Sequence, residues 1–179
     1  MQEIYLDNNA TTQPLEAVRA AMFEVLGSDF GNPSSVHGAG ARARRRIEHA
    51  RHAVAQLIGA REDQITFTSG GTEANNLVLQ LAKEPSLGRR LITSTVEHSS
   101  VLKMAEHLSE DGVEVVLLPV DSEGLIDVAE LEQLLSDRPA LVSIQWVNNE
   151  TGVIQDIDAI GELCRSAAAV FHTDAAQAV

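Results

Sequence analysis

The chain of 179 residues has a single cysteine, Cys164, and so cannot close an internal disulfide. It also lacks any apolar run long enough to span a bilayer, although 44% of its residues are hydrophobic. Its opening, Met1-Gln2-Glu3-Ile4-Tyr5, has neither a basic stretch nor an apolar core and does not read as a secretory signal. Positive charge is scarce: 13 Lys and Arg against 26 Asp and Glu leave a net charge of −13. That balance favours solubility and argues against a nucleic-acid-binding surface. Lysine is the scarcest cation, present only as Lys83 and Lys103. Repeats, low-complexity tracts and linkers are absent. The expectation is a cytoplasmic protein with one substantial core and neither membrane nor nucleic acid as partner.

What basic charge there is clusters at Arg42, Arg44, Arg45, Arg46 and Arg51, on a predicted helix over residues 40–58 with Ile47, Val54, Leu57 and Ile58 as apolar positions. This predicts a solvated basic face held by intrahelical pairs such as Glu48 with Arg44, or alternatively a docking face for an acidic partner. Cys164 shares helical spacing with Ile157, Ile160 and Ala167, which predicts a buried, inert thiol rather than a nucleophile.

A helical pattern covers residues 14–26, and the loop Gly31-Asn32-Pro33-Ser34-Ser35 precedes the arginine helix. Strands are predicted over 65–68, 91–94, 113–119, 141–147 and 170–174, with helices over 73–83, 99–110, 128–135 and 157–168. That alternation specifies an α/β fold, a mainly parallel sheet flanked by helices.

The most informative segment is Thr68-Ser69-Gly70-Gly71-Thr72-Glu73-Ala74-Asn75-Asn76, between a predicted strand and a predicted helix. The first N–H groups of a helix lack internal partners and carry partial positive charge. Two glycines allow close approach of a ligand, and Ser69 and Thr72 offer hydroxyl donors, so the turn suits a phosphate. Thr72 as an ordinary helix cap is the competing reading. A Walker loop is excluded, because no Gly-Lys-Ser/Thr follows the glycines.

Ligands in such folds bind beyond the carboxyl ends of the strands. Polar groups end the other predicted strands: Thr95-Val96-Glu97-His98, Asn148-Asn149-Glu150 and Asp174-Ala175-Ala176-Gln177. With a phosphate on Gly71 and Thr72, Asp174 could keep a pyridinium nitrogen protonated, His98 could stack on the ring, and Asn149 and Gln177 could donate to a phenolic oxygen. That set is what a pyridoxal 5'-phosphate cradle requires. Each residue also has a plainer reading: Asp174 and His98 as caps, Asn149 as a turn former before Gly152, and Gln177 as an exposed helical residue.

The chain closely resembles the cysteine desulfurases of the NifS/IscS type, in the class V aminotransferase group of fold-type I pyridoxal-phosphate enzymes. The resemblance rests on Tyr5-Leu6-Asp7-Asn8-Asn9-Ala10-Thr11-Thr12, Gly31-Asn32-Pro33-Ser34-Ser35-Val36-His37 and the Thr68-to-Asn76 turn. It continues through Glu97-His98-Ser99-Ser100-Val101, Val147-Asn148-Asn149-Glu150-Thr151-Gly152 and Phe171-His172-Thr173-Asp174-Ala175-Ala176-Gln177. It implies that Gly71 and Thr72 bind the phosphate and that His98 is the catalytic histidine stacked on the ring. It further implies that Asp174 meets the ring nitrogen, and that Asn149 and Gln177 lie near the ring oxygen. The implied reaction takes sulfur from L-cysteine, leaving alanine and an enzyme persulfide that supplies a sulfur acceptor or an iron–sulfur scaffold protein. The implied assembly is a homodimer.

In this family the cofactor is held as a Schiff base on a lysine that lies beyond the position of Gln177, and the persulfide cysteine lies later still. Neither Lys83, Lys103 nor Cys164 has the matching context. The expectation is therefore an N-terminal segment over 1–13 and, over 14–179, an incomplete large domain ending before that lysine, inactive alone. The alternatives are another class V enzyme (a selenocysteine lyase, kynureninase or aminotransferase) and a non-catalytic partner-binding module. A dinucleotide site at Gly38-Ala39-Gly40-Ala41-Arg42-Ala43 lacks a leading strand, and His49 and His52 lack a third metal ligand.

Overall fold

The computed structural model describes residues 4–136 and 140–178. The first three residues of the expected N-terminal segment, and Val179, lie outside them. The chain divides into two compact units, Met1–Phe67 and Thr68–Val179.

In the first unit, α1 (Glu16–Ser28) has no buried residue: Leu15 before it and Met22, Phe23 and Leu26 along it are all exposed. The arginine helix, α2 (Gly38–Leu57), buries small residues, Gly40, Ala43 and Ala55. The expected apolar stripe is instead largely open, with Leu57 71% and Ile58 53% exposed. The arginines are mostly engaged within the unit. Asp29 receives Arg46 at 2.9 Å and Arg42 at 3.3 Å, and Arg44 donates to the Pro33 carbonyl at 2.8 Å. Glu48 pairs with Arg51 at 3.3 Å, not with Arg44, whose guanidinium is committed to the preceding loop. Among the described residues no strand precedes α2, and Gly40 serves packing: a Cβ there would stand 2.7 Å from the Asn32 carbonyl oxygen.

Residues 65–68 do not form a strand. Ile65 is extended (φ −94°, ψ 127°), but the segment enters no sheet among the described residues, and Arg51 takes the Ile65 carbonyl. Apolar alternation reports an extended backbone; a strand also needs a neighbouring ladder.

The second unit is a parallel four-stranded sheet in the order β2 (Glu114–Leu118), β1 (Arg90–Ser94), β3 (Leu141–Ser143), β4 (Val170–His172). Its helices are α3 (Gly71–Leu79), α4 (Ser99–Glu110), α5 (Val128–Leu135) and α6 (Ile157–Ser166). β1 is buried along its whole length, so its side chains alternate between two apolar layers. Leu91 and its register partner Leu141 join Leu79, Val101, Met104 and Leu108 under α3 and α4. Ile92 and its partner Val142 join Leu131, Ile160 and Cys164 under α5 and α6. Each fully buried leucine or isoleucine contributes roughly 1.5–3 kcal/mol. Cys164 is 1% exposed and burial pushes its thiol up to about 11, so it is an apolar core residue, as its spacing predicts. Among the described residues no helix is long and apolar enough to cross a membrane.

Parallel register brings the carboxyl ends of β1, β3 and β4 side by side. The expected longer strands β3 and β4 become irregular at that rim, yet the ladder reaches on: Ile144 N–H donates to the His172 carbonyl and Trp146 N–H to that of Asp174, at 3.1 and 3.0 Å.

Candidate functional site

Gly70 caps α3 without a side-chain hydrogen bond, and only the Ala74 N–H reaches back to its carbonyl, at 3.1 Å. The N–H groups of Gly71, Thr72 and Glu73 have no acceptor among the described residues, and the space beside both glycines is open. Two of the loop hydroxyls are occupied. Thr68 donates to the Gly70 carbonyl at 3.1 Å, and Ser69 donates both its hydroxyl and its N–H to Glu73. Those bonds hold the Glu73 carboxyl below its ordinary range. Ser69 is therefore not a free ligand donor, which the sequence had offered it as. Thr72 is exposed and lines a cleft of about 330 Å³ with Asn76, Ser99, Ser100 and Lys103.

From the same helix α3, one turn further, Asn75 points into the protein and is 4% exposed. Its amide nitrogen donates to Asp174 Oδ2 at 2.8 Å and to Ser100 Oγ at 3.0 Å. Ser100 Oγ stands 2.8 Å from His98 Nδ1, which also receives the Ser100 N–H at 3.2 Å. The plainer readings of His98 and Asp174 as caps are both correct, and neither excludes a functional role. His98 caps α4, and Asp174 Oδ1 accepts the Ala176 N–H at 3.0 Å. A continuous line of hydrogen bonds thus joins Asp174, Asn75, Ser100 and His98, with Thr72 on the helix that supplies Asn75.

Beneath this line lies Glu97, 5% exposed. Ser94 Oγ donates to it at 2.6 Å, and the Gln145 N–H reaches both carboxylate oxygens at 3.0 Å. Burial nevertheless pushes Glu97 up to about 7, with the Asp174 charge adding to the rise. The Val96 carbonyl accepts from Gln145 Nε2 and Asn148 Nδ2 at 2.8 and 3.0 Å. Asn148, rather than Asn149, shapes the turn, accepting the N–H groups of Glu150 and Thr151. His172 meets Ser143 Oγ at 2.9 Å, and burial lowers its pKa against the pull of Asp174.

Of the expected site residues, the structure brings Gly71, Thr72, His98 and Asp174 into one corner of the second unit. Asn149 is half-buried and Gln177 exposed; neither makes a hydrogen bond among the described residues. Sequence reasoning missed Asn75, Ser100 and Glu97 as members of the constellation. Each sits within a quoted motif, but only helix phase reveals that Asn75 turns inward.

A family model described as aminotransferase class-V matches residues 4–179. A cysteine desulfurase of Cereibacter sphaeroides is 48% identical across 100% of this chain and 47% of its own length. Among solved structures, a NifS-like protein has a TM-score of 0.94 at 36% identity, covering 99% of this chain and 50% of its own. A second, SspA in complex with cysteine, has a TM-score of 0.88 at 35% identity, covering 97% of this chain and 51% of its own. The chain thus spans about half the length of the relatives it matches.

Proposed function

The chain belongs to the aminotransferase class-V family, and we propose that it carries the cofactor cradle of a pyridoxal-phosphate-dependent cysteine desulfurase. The observation that carries this reading is the hydrogen-bond line from Asp174 through Asn75 and Ser100 to His98. The residues fit pyridoxal 5'-phosphate. The unpartnered N–H groups at the start of α3 and the Thr72 hydroxyl suit its phosphate. Asp174, which meets no ion pair among the described residues, suits its ring N–H.

In this reading Gly71 and Thr72 hold the phosphate, Asp174 the ring nitrogen, and Asn149 and Gln177 the ring oxygen, with His98 catalytic on the ring face. When bound, the cofactor supplies an electron sink for a carbanion at the substrate Cα. Asp174 keeps a proton on the ring nitrogen, and Asn75 and the Ala176 N–H keep its carboxylate aimed. Because Ser100 engages Nδ1 of His98, Nε2 is the nitrogen left to meet substrate.

The substrate is L-cysteine and the products are L-alanine and an enzyme-bound persulfide, passed to a sulfur acceptor or iron–sulfur scaffold protein. The names of the relatives support that chemistry. The whole protein acts as a homodimer in the cytoplasm, with residues 14–179 forming part of its large domain and 1–13 an N-terminal segment. Lys83 is paired with Asp111 at 2.7 Å, and Lys103 belongs to α4, so neither is assigned the Schiff base; Cys164 is too buried to carry persulfide. These 179 residues alone do not turn over cysteine.

The test is titration of the chain with pyridoxal 5'-phosphate, followed by borohydride. Saturable binding that D174A weakens at least about tenfold, the weight of a lost charge-assisted bond, supports the cradle. Binding indifferent to D174A sinks it. A borohydride-trapped adduct on Lys103 together with alanine release would overturn the assignment of the lysines.

A further inference from the structure

The four-residue line has a direction that donor chemistry dictates. Asn75 Nδ2 carries two hydrogens, and a carboxylate only accepts, so one hydrogen goes to Asp174 Oδ2 and the other to Ser100 Oγ. Ser100 Oγ, accepting there, is free to donate its own hydrogen to His98 Nδ1 at 2.8 Å. The Ser100 main-chain N–H, which can only donate, points at the same nitrogen. Two donors on Nδ1 leave no room for a hydrogen of its own; the Nδ1–H form would set two hydrogens face to face. Asn75 and Ser100 are 4% and 9% exposed, so water cannot readily substitute for either.

We propose that Asn75 and Ser100 are positioning residues that hold His98 as the Nε2–H tautomer, tying its imidazole to the carboxylate of Asp174. The histidine then offers substrate a proton at Nε2, and the orientation of its ring follows from the same amide that aims Asp174. One buried asparagine thereby sets two functional groups 76 positions apart in sequence (98 and 174). The catalytic meaning of this arrangement rests on the cofactor reading above; the tautomer itself does not.

The experiment is nitrogen-15 NMR of the imidazole of His98 in the 179-residue chain without cofactor. The expected spectrum shows a protonated Nε2 and an unprotonated Nδ1. S100A, which keeps the main-chain cap, should lower the ratio of Nε2–H to Nδ1–H roughly fivefold, the equilibrium weight of one net hydrogen bond. S100T, which keeps the hydroxyl, should preserve the ratio. N75L should shift the ratio in the direction of S100A; if it fails to fold, the S100A and S100T pair still decides. An Nδ1–H tautomer in the parent chain, or equal ratios in S100A and S100T, overturns the proposal. Absence of pyridoxal-phosphate binding with the expected spectrum would sink the function and leave the tautomer standing.

Discussion

Glu97 receives the Gln145 main-chain N–H on both carboxylate oxygens, each at 3.0 Å, so the residue preceding His98 is tied to the rim beyond β3. That shared N–H and the Ser94 hydroxyl, two donors, would ordinarily keep a carboxyl acidic. Burial wins, because the charged form loses more hydration than these two donors return.

Stability should therefore depend on pH through Glu97. Its folded pKa, about 7, is raised above the ordinary value of 4.5, so the folded state binds more protons between those limits. Its contribution is fully present below about 4.5 and is lost as pH rises through 7, a change on the order of 3 kcal/mol. His172, lowered by burial, works in the opposite sense below 6.5. Denaturant unfolding of the parent chain and E97Q at pH 5 and pH 8 separates the two. The parent should lose more stability across that interval than E97Q; parallel behaviour would contradict the buried-carboxyl account.

Gly40→Ala should destabilise the first unit. The added Cβ would stand 2.7 Å from the Asn32 carbonyl oxygen, and the obstacle is backbone, which cannot rotate away. The expected cost is about 1–3 kcal/mol, by analogy with overpacked cores. Hydrogen exchange of the α2 amides should report it, and protection equal to the parent would refute the tight approach.

Asp127→Ala removes the cap of α5. The Asp127 carboxylate accepts the N–H groups of Ala129 at 2.8 Å and Glu130 at 3.4 Å. The loss should be about 1 kcal/mol, read from the urea midpoint at constant slope. D127N should recover most of it, since its amide oxygen accepts the same bonds.

Cys164 should react with an aromatic disulfide reagent only when the chain opens. Its side chain lies in the layer under α5 and α6, and burial raises its thiol to about 11. The labelling rate should rise together with the unfolded fraction as urea is added. Fast labelling of the folded chain would show that the α6 face is not sealed.

Much of this fold is legible in the sequence because its cues are local. The helices α4 and α5 begin and end where periodicity places them, with His98 and Asp127 as their caps. The apolar pairs at the centre of the sheet, Leu91-Ile92 in β1 and Leu141-Val142 in β3, sit where both faces of β1 are covered. Residues 65–68 mislead for the complementary reason: alternation is a property of one segment, whereas pairing belongs to two. The stripe of α2 misleads likewise, since spacing alone does not say what stands opposite Leu57 and Ile58.

Within the site, the sequence by itself determined the kinds of group available: a glycine turn opening a helix, a histidine, and an aspartate after an apolar strand. Their chemistry is intrinsic to the side chains and to the ends of helices. Only the tertiary structure decided that Asn75 faces inward to join Asp174 to His98, and that Glu97 holds its proton near neutrality. Hydrogen-bond partnership and desolvation depend on what other segments bring alongside, and no residue carries that in its own neighbourhood of the chain.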